Sequence, residues 1–171
     1  MPRLQTDRLI LRRAQTSDVP ALHAVFSDPS AMRYWSSLPY TDPAETEAFV
    51  QAMQRLHDSG GSEFVVEYQG RAIGKAGIWD APEIGFIFHR DCWGQGIGTE
   101  AVTAVIEHGF KTTSLDRITA DVDPRNAASI RLLSKLGFEE TGRAKCTLQL
   151  GDEVCDSVYF TLTKARWQRD A

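Results

Sequence analysis

The residues with the clearest chemical purpose form the run Trp93-Gly94-Gln95-Gly96-Ile97-Gly98-Thr99, which joins an apolar segment to an amphipathic one. Glycines at alternate positions let the backbone approach a ligand closely and turn successive N–H groups toward it. A helix that starts there adds its positive end, so the run suits an anion such as a pyrophosphate. Neither common nucleotide loop matches. No Lys-Ser or Lys-Thr pair follows the last glycine, and Thr99 stands where a dinucleotide fingerprint needs its third glycine. Any one of these glycines also suits a plain tight turn between strand and helix, but Gly94, Gly96 and Gly98 together favour a ligand site.

Other chemistry is sparser. His23, His57, His89 and His108 show no metal-ligand spacing, so no metal is expected. Cys92, Cys146 and Cys155 are odd in number and far apart, which argues against a disulfide framework and a zinc site and for a reducing cytoplasm. Cys92 has no His-Asp set beside it by motif, so a nucleophilic cysteine is not expected. Tyr34, Trp35 and Tyr40 lie in one connecting stretch, where aromatics suit covering a substrate, sealing a core or making a subunit contact.

The elements that must position these residues follow from periodicity. Leu9-Ile10-Leu11 reads as a strand, and Thr16-Ser17-Asp18 offers caps to a helix carrying Leu22, Val25 and Phe26. Asp42-Pro43 starts a second helix with Phe49, Met53 and Leu56 at helical spacing. Residues 64–68 and 72–79 form a hairpin about Gln69-Gly70, and Glu83–Phe88 adds a third strand. The glycine turn then opens a helix with Val102, Val105, Ile106 and Phe110 on one face. Arg117–Val122 is a strand, Asn126 caps a helix that Gly137 ends, and the tail forms two strands about Leu150–Glu153. The expected fold is one α/β domain spanning 1–171, with a mixed, largely antiparallel twisted sheet of about seven strands and about four flanking helices.

With 171 residues, 42% of them hydrophobic, the chain can bury one sizeable core. Its 19 Lys and Arg against 23 Asp and Glu give a net charge of −4, which excludes a general nucleic-acid or anionic-membrane binder. A small cationic partner fits. The start of the chain lacks the apolar core of a signal peptide and no segment reads as membrane-spanning, so a soluble, unprocessed, cytoplasmic protein is expected.

Taken together, Gly85–Ala101, Arg117–Ala120 and Asn126–Phe138 resemble the cofactor-binding motifs of the GNAT N-acetyltransferase superfamily, in its RimJ/RimL-like branch. Thr6–Arg12 and Asp156–Tyr159 also resemble that branch, so the likeness covers nearly the whole chain. It implies transfer of acetyl from acetyl-CoA to a primary amine, with a protein N-terminus of ribosomal type or a small amine or antibiotic as acceptor. A non-catalytic acyl-CoA-binding module is the alternative of another class. A monomer or small homo-oligomer is implied.

The resemblance also implies roles for single residues. Backbone groups of Phe86, Ile87 and Phe88 would meet the pantetheine arm, and Gly94, Gln95, Gly96, Ile97, Gly98 and Thr99 the pyrophosphate. Trp93 departs from the Gln or Arg often found there, which removes a side-chain contact and leaves the cradle of amides. Glu83 is the candidate base for the acceptor ammonium, which ordinarily titrates near about 10.4; a solvated charge at a strand end is its bland reading. The tyrosine acid of many relatives is excluded, because Leu133 occupies that position, and Ser129 is the substitute donor to the thiolate. As a first-turn serine, Ser129 also suits a purely local role. Asn126 reads as an N-cap and, by resemblance, as a donor to the pantetheine arm. Tyr34 and Trp35 are implied to border the acceptor.

Overall fold

Alternation along the strands decides which helices cover which face. In the computed structural model, which describes residues 3–170, β1 (Leu4–Gln5) and β2 (Leu9–Arg12) lead into two helices, α1 (Val19–Phe26) and α2 (Pro43–Asp58). Residues 1, 2 and 171 of the expected domain lie outside the described residues. Next come β3 (Ser62–Tyr68), β4 (Arg71–Asp80), β5 (Glu83–Phe88), α3 (Ile97–Thr112), β6 (Arg117–Val122) and α4 (Ala127–Lys135). The hairpin β7 (Glu139–Leu150) and β8 (Glu153–Thr163) precedes α5 (Lys164–Asp170). All eight strands form one sheet in the order β1-β2-β3-β4-β5-β6-β8-β7, antiparallel except where β5 meets β6.

On one face Val65, Ala72 and Ile87 pack with Leu22, Val25 and Phe26 of α1 and Val50 and Met53 of α2. On the other, Phe64, Val66 and Ile78 pack against Val102, Val105 and Ile106 of α3. Every residue of β3 from Ser62 to Val66 is therefore buried, as expected of a strand covered on both sides. β1 and α5 exceed the expected strand and helix counts. β1 has only two residues and no alternation to read, and α5 is polar apart from Ala165 and Trp167, the latter resting on the core.

Local signals end the elements where the sequence places them. Asp42 accepts from the Ala44 amide at 2.8 Å while Glu45 reaches back to the Asp42 amide at 3.0 Å, closing a capping box on α2. At the end of α4, Gly137 adopts φ 87° and the Phe138 amide bonds the Leu133 carbonyl at 3.0 Å. The buried face of α2 is Thr46, Val50, Met53 and His57. Of the apolar positions at helical spacing, Met53 is buried, whereas Phe49 and Leu56 are half-buried beside that stripe and wall a cavity.

Candidate active site

The two parallel strands meet once and then part. Glu83 is opposite Thr119, whose amide bonds the Pro82 carbonyl at 3.0 Å, and no further pair joins β5 to β6. A cleft opens toward the C-terminal ends of both strands, where the glycine turn and the start of α4 stand, the usual ligand position for parallel strands. On its other side β5 pairs with β4, Lys75 opposite Ile87 and Gly77 opposite Gly85, and the His89 amide bonds the Ile73 carbonyl at 2.7 Å. Antiparallel pairing alternates. The backbone groups of Gly85, Ile87 and His89 are therefore spent on β4, and those of Ile84, Phe86 and Phe88 face the cleft. Of the three residues expected to offer main-chain contacts, Ile87 cannot do so, because its pairing with β4 uses those groups.

A cavity of about 560 Å³ fills this cleft. Its wall includes Phe86, Ile87, Phe88, Gly94, Gly96, Ile97, Gly98 and Thr99 from the β5–α3 unit, and Asn126 and Ser129 from α4. Gly94 and Gly96 adopt φ of 71° and 75°, and a Cβ at Gly98 would meet Leu132 Cδ1 at 3.1 Å, so the turn needs glycine for its shape and for its packing. Gln95 lies off the wall: its amide group donates to the Asp91 carbonyl at 2.6 Å and its carbonyl accepts from Arg8 at 2.9 Å. The Trp93 indole donates to the Phe88 carbonyl at 3.0 Å, which gives this departure from the usual residue a structural role. Asn126 caps α4 through the Ser129 amide at 3.1 Å, and the Ser129 hydroxyl has no partner among the described residues. Arg131 and Lys135, one helical turn apart, add cations to the same wall; both lie in the Asn126–Phe138 run, which had given them no role of their own.

A second cavity, about 730 Å³, joins the first at Tyr34, Trp35, Ile84, Gly85 and Asp121. Glu83 opens into it, and Tyr40, Phe49 and Trp79 make it aromatic. The Glu83 carboxyl is raised above its ordinary value, chiefly by burial, with the charges of Asp121 and Asp80 adding and the 3.3 Å bond from the Trp79 indole opposing. The floor carries the buried ion pair of Lys75 and Glu63, with the ammonium 5.1 Å from the Trp35 ring centroid. At the rim the Tyr34 ring lies 5.1 Å from the Arg33 guanidinium and 5.8 Å from that of Arg125, and both arginines pair with Glu153. Cys92 lines the first cavity, and burial followed by the charge of Asp91 pushes its thiol up, the wrong direction for a nucleophile.

The acetyltransferase (GNAT) domain family matches residues 8–139. The chain belongs to the GNAT family. It is an acetyl-CoA-dependent N-acetyltransferase. It is 30% identical to the spermidine N(1)-acetyltransferase of Escherichia coli K12, covering 77% of this chain and 73% of that one. It is 27% identical to the [ribosomal protein uS5]-alanine N-acetyltransferase of the same organism, over 96% and 92% of the two chains. A GNAT acetyltransferase structure from Bacillus anthracis superposes with a TM-score of 0.83 at 27% identity, covering 96% of this chain and 99% of the other. Within this GNAT fold no helix among the described residues is long and apolar enough to cross a membrane.

The two readings of Asn126 separate by substitution. Asn126→Ala is expected to cost about 1 kcal/mol of stability through the lost cap. Asn126→Asp keeps an acceptor for the Ser129 amide and should restore the melting temperature. If the side chain also donates to the donor substrate, the KM for acetyl-CoA stays raised in Asn126→Asp, which steady-state kinetics measures directly.

Proposed function

We propose that acetyl-CoA occupies the cleft between β5 and β6 and that its acetyl group passes directly to a small polyvalent amine in the second cavity, with residues 1–171 acting as one domain. The observation that carries this reading is the charge of the second wall. Glu63 is matched by Lys75, and Asp123 by Arg125, but Glu83, Asp121 and Asp156 have no ion-pair partner among the described residues. Three uncompensated carboxylates among aromatic rings suit an acceptor with more than one cationic group. Acetylation of a protein N-terminus is the second reading, favoured by the similarity to the uS5-alanine enzyme. Free Cys92, Cys146 and Cys155 support action in a reducing cytoplasm.

Acetyl-CoA supplies an activated thioester. Glu83 takes a proton from the acceptor ammonium, directly or through water, so that the neutral amine attacks the acetyl carbon. As the C–N bond forms and the C–S bond breaks, the cleft-facing Phe88 amide stabilises the negative charge on the acetyl oxygen. The Ser129 hydroxyl donates to the departing sulfur. The positive-φ glycines of the turn, with open space beside Gly94, fit a diphosphate bound by main-chain amides.

Acetyl-CoA at about a hundred times its Kd is expected to stabilise the fold by about 2.7 kcal/mol, read as a rise in melting temperature. Thiol release with di- and polyamines should exceed that with N-terminal peptides by about tenfold in kcat/KM, and the reverse order would replace the first acceptor reading by the second. Binding without thiol release on either panel would reject both acceptor readings.

A further inference from the structure

The first turn of α3 contains an acid where an anion is to be bound. The Glu100 amide bonds the Gly96 carbonyl at 3.0 Å, so this residue stands in the turn that begins at the glycine run. A carboxylate there opposes a diphosphate at the same helix end. Arg8 intervenes, from a segment 92 residues earlier in the chain. Its Nε donates to Glu100 Oε2 at 2.7 Å and its backbone amide to Oε1 at 2.9 Å, while the Thr6 hydroxyl donates to Oε1 at 2.5 Å. The same guanidinium donates through Nη1 to the Gln95 carbonyl at 2.9 Å, and its Nη2 lies 3.5 Å from where a Cβ on Gly96 would be. Burial works to raise the Glu100 carboxyl, but the bonds from Thr6 and Arg8 outweigh it and hold the group below its ordinary range. Glu100 is thus ionised at neutral pH, with a side chain 18% exposed, and Arg8 is its cationic partner.

We propose that Arg8 is a positioning residue for the donor substrate: it neutralises Glu100 and fixes the Gln95 carbonyl, so that the glycine turn presents an uncontested positive end to the diphosphate of acetyl-CoA. Arg8 does not line the cavity, and it acts through the turn. This inference rests on the reading that the glycine turn holds the diphosphate. Trp93 stands where a side chain able to contact that group is often found, so the neutralisation of Glu100 matters more here than in a turn with its own polar contact.

Charge and shape can be separated with two donors, acetyl-CoA and S-acetylpantetheine, which lacks the diphosphate. The quantity read is the ratio of their kcat/KM values. In Arg8→Gln this preference is expected to fall about tenfold, and in Arg8→Gln/Glu100→Gln to recover most of that loss. Glu100→Gln alone leaves an unmatched arginine beside the turn and should raise the preference about twofold. A clasp with only a structural role lowers the activity of all three variants with both donors alike, leaves the ratio unchanged, and would overturn the proposal. A fall in the ratio for Glu100→Gln overturns it too, and this variant suffices if Arg8→Gln does not fold. If the wild-type protein itself shows no preference for acetyl-CoA, the glycine turn does not hold the diphosphate and the underlying reading falls, independently of Arg8.

Discussion

Glu83→Gln is expected to lower kcat about a hundredfold while leaving acetyl-CoA binding intact, the scale of a lost general base. The acceptor amine arrives protonated and attacks only when neutral, so a base beside it carries part of the barrier. Burial first, then the charges of Asp121 and Asp80, raise the Glu83 carboxyl, which brings it closer to the pH at which it must work. The wild-type rate should therefore fall as pH drops through that raised value, and this acid limb should be absent in Glu83→Gln. Stability moves the other way. A carboxyl raised in the folded state stabilises the fold only while protonated, and that contribution is lost as pH rises through the folded value. At neutral pH the ionised Glu83 is a burden, so Glu83→Gln should melt slightly higher than the wild type. A variant that melts higher but turns over as fast as the wild type would remove Glu83 from the chemistry.

Lys75→Met is expected to cost about 3–5 kcal/mol in urea unfolding, the penalty for leaving a buried charge without its partner. The Lys75 side chain is 2% exposed and that of Glu63 7%, and they pair across β3 and β4 under the aromatic floor of the second cavity. The ammonium also lies 5.1 Å from the Trp35 ring centroid and 5.9 Å from that of Phe49, so its loss removes two further contacts. Glu63→Gln/Lys75→Met removes both charges and should recover most of the stability, because well-packed neutral side chains replace a buried ion pair at little cost. Since Trp35 borders both cavities, the single variant should also raise the acceptor KM; an unchanged KM would limit the pair to a role in folding.

Much of the site was legible because its signals are local. The glycine turn, the Asn126 cap with its Ser129 partner, and the Gly137 stop each depend on a few neighbouring residues, and periodicity gave the order of strands and helices. What stayed hidden depends on contacts across the chain. The expectation for Phe86, Ile87 and Phe88 treated three consecutive residues alike, but only the pairing of β5 with β4 tells which of them keep free backbone groups. Arg8 lay within the Thr6–Arg12 run that resembles the RimJ/RimL-like branch, but nothing in that run gave it a role until the fold set it against Gln95 and Glu100. The apolar spacing of Phe49, Met53 and Leu56 marked a stripe of α2 but not how far the helix is turned about its axis, so it did not show that Phe49 and Leu56 also wall a cavity. The meeting of Arg33, Arg125 and Glu153 at the rim joins three separate segments, and no spacing in the sequence foreshadows it.

The one pairing of Glu83 with Thr119 makes the sheet two half-sheets stitched at a single point. Everything from β1 to β5 lies on one side of that seam and β6 to β8 on the other, and both sides share one continuous core with α3, so a molecule inserted between the strands enters where the backbone ladder is broken and the packing is not. Glu83 sits at that stitch, so the proposed proton acceptor stands where the two half-sheets are hydrogen-bonded to each other, and the cleft opens beyond it.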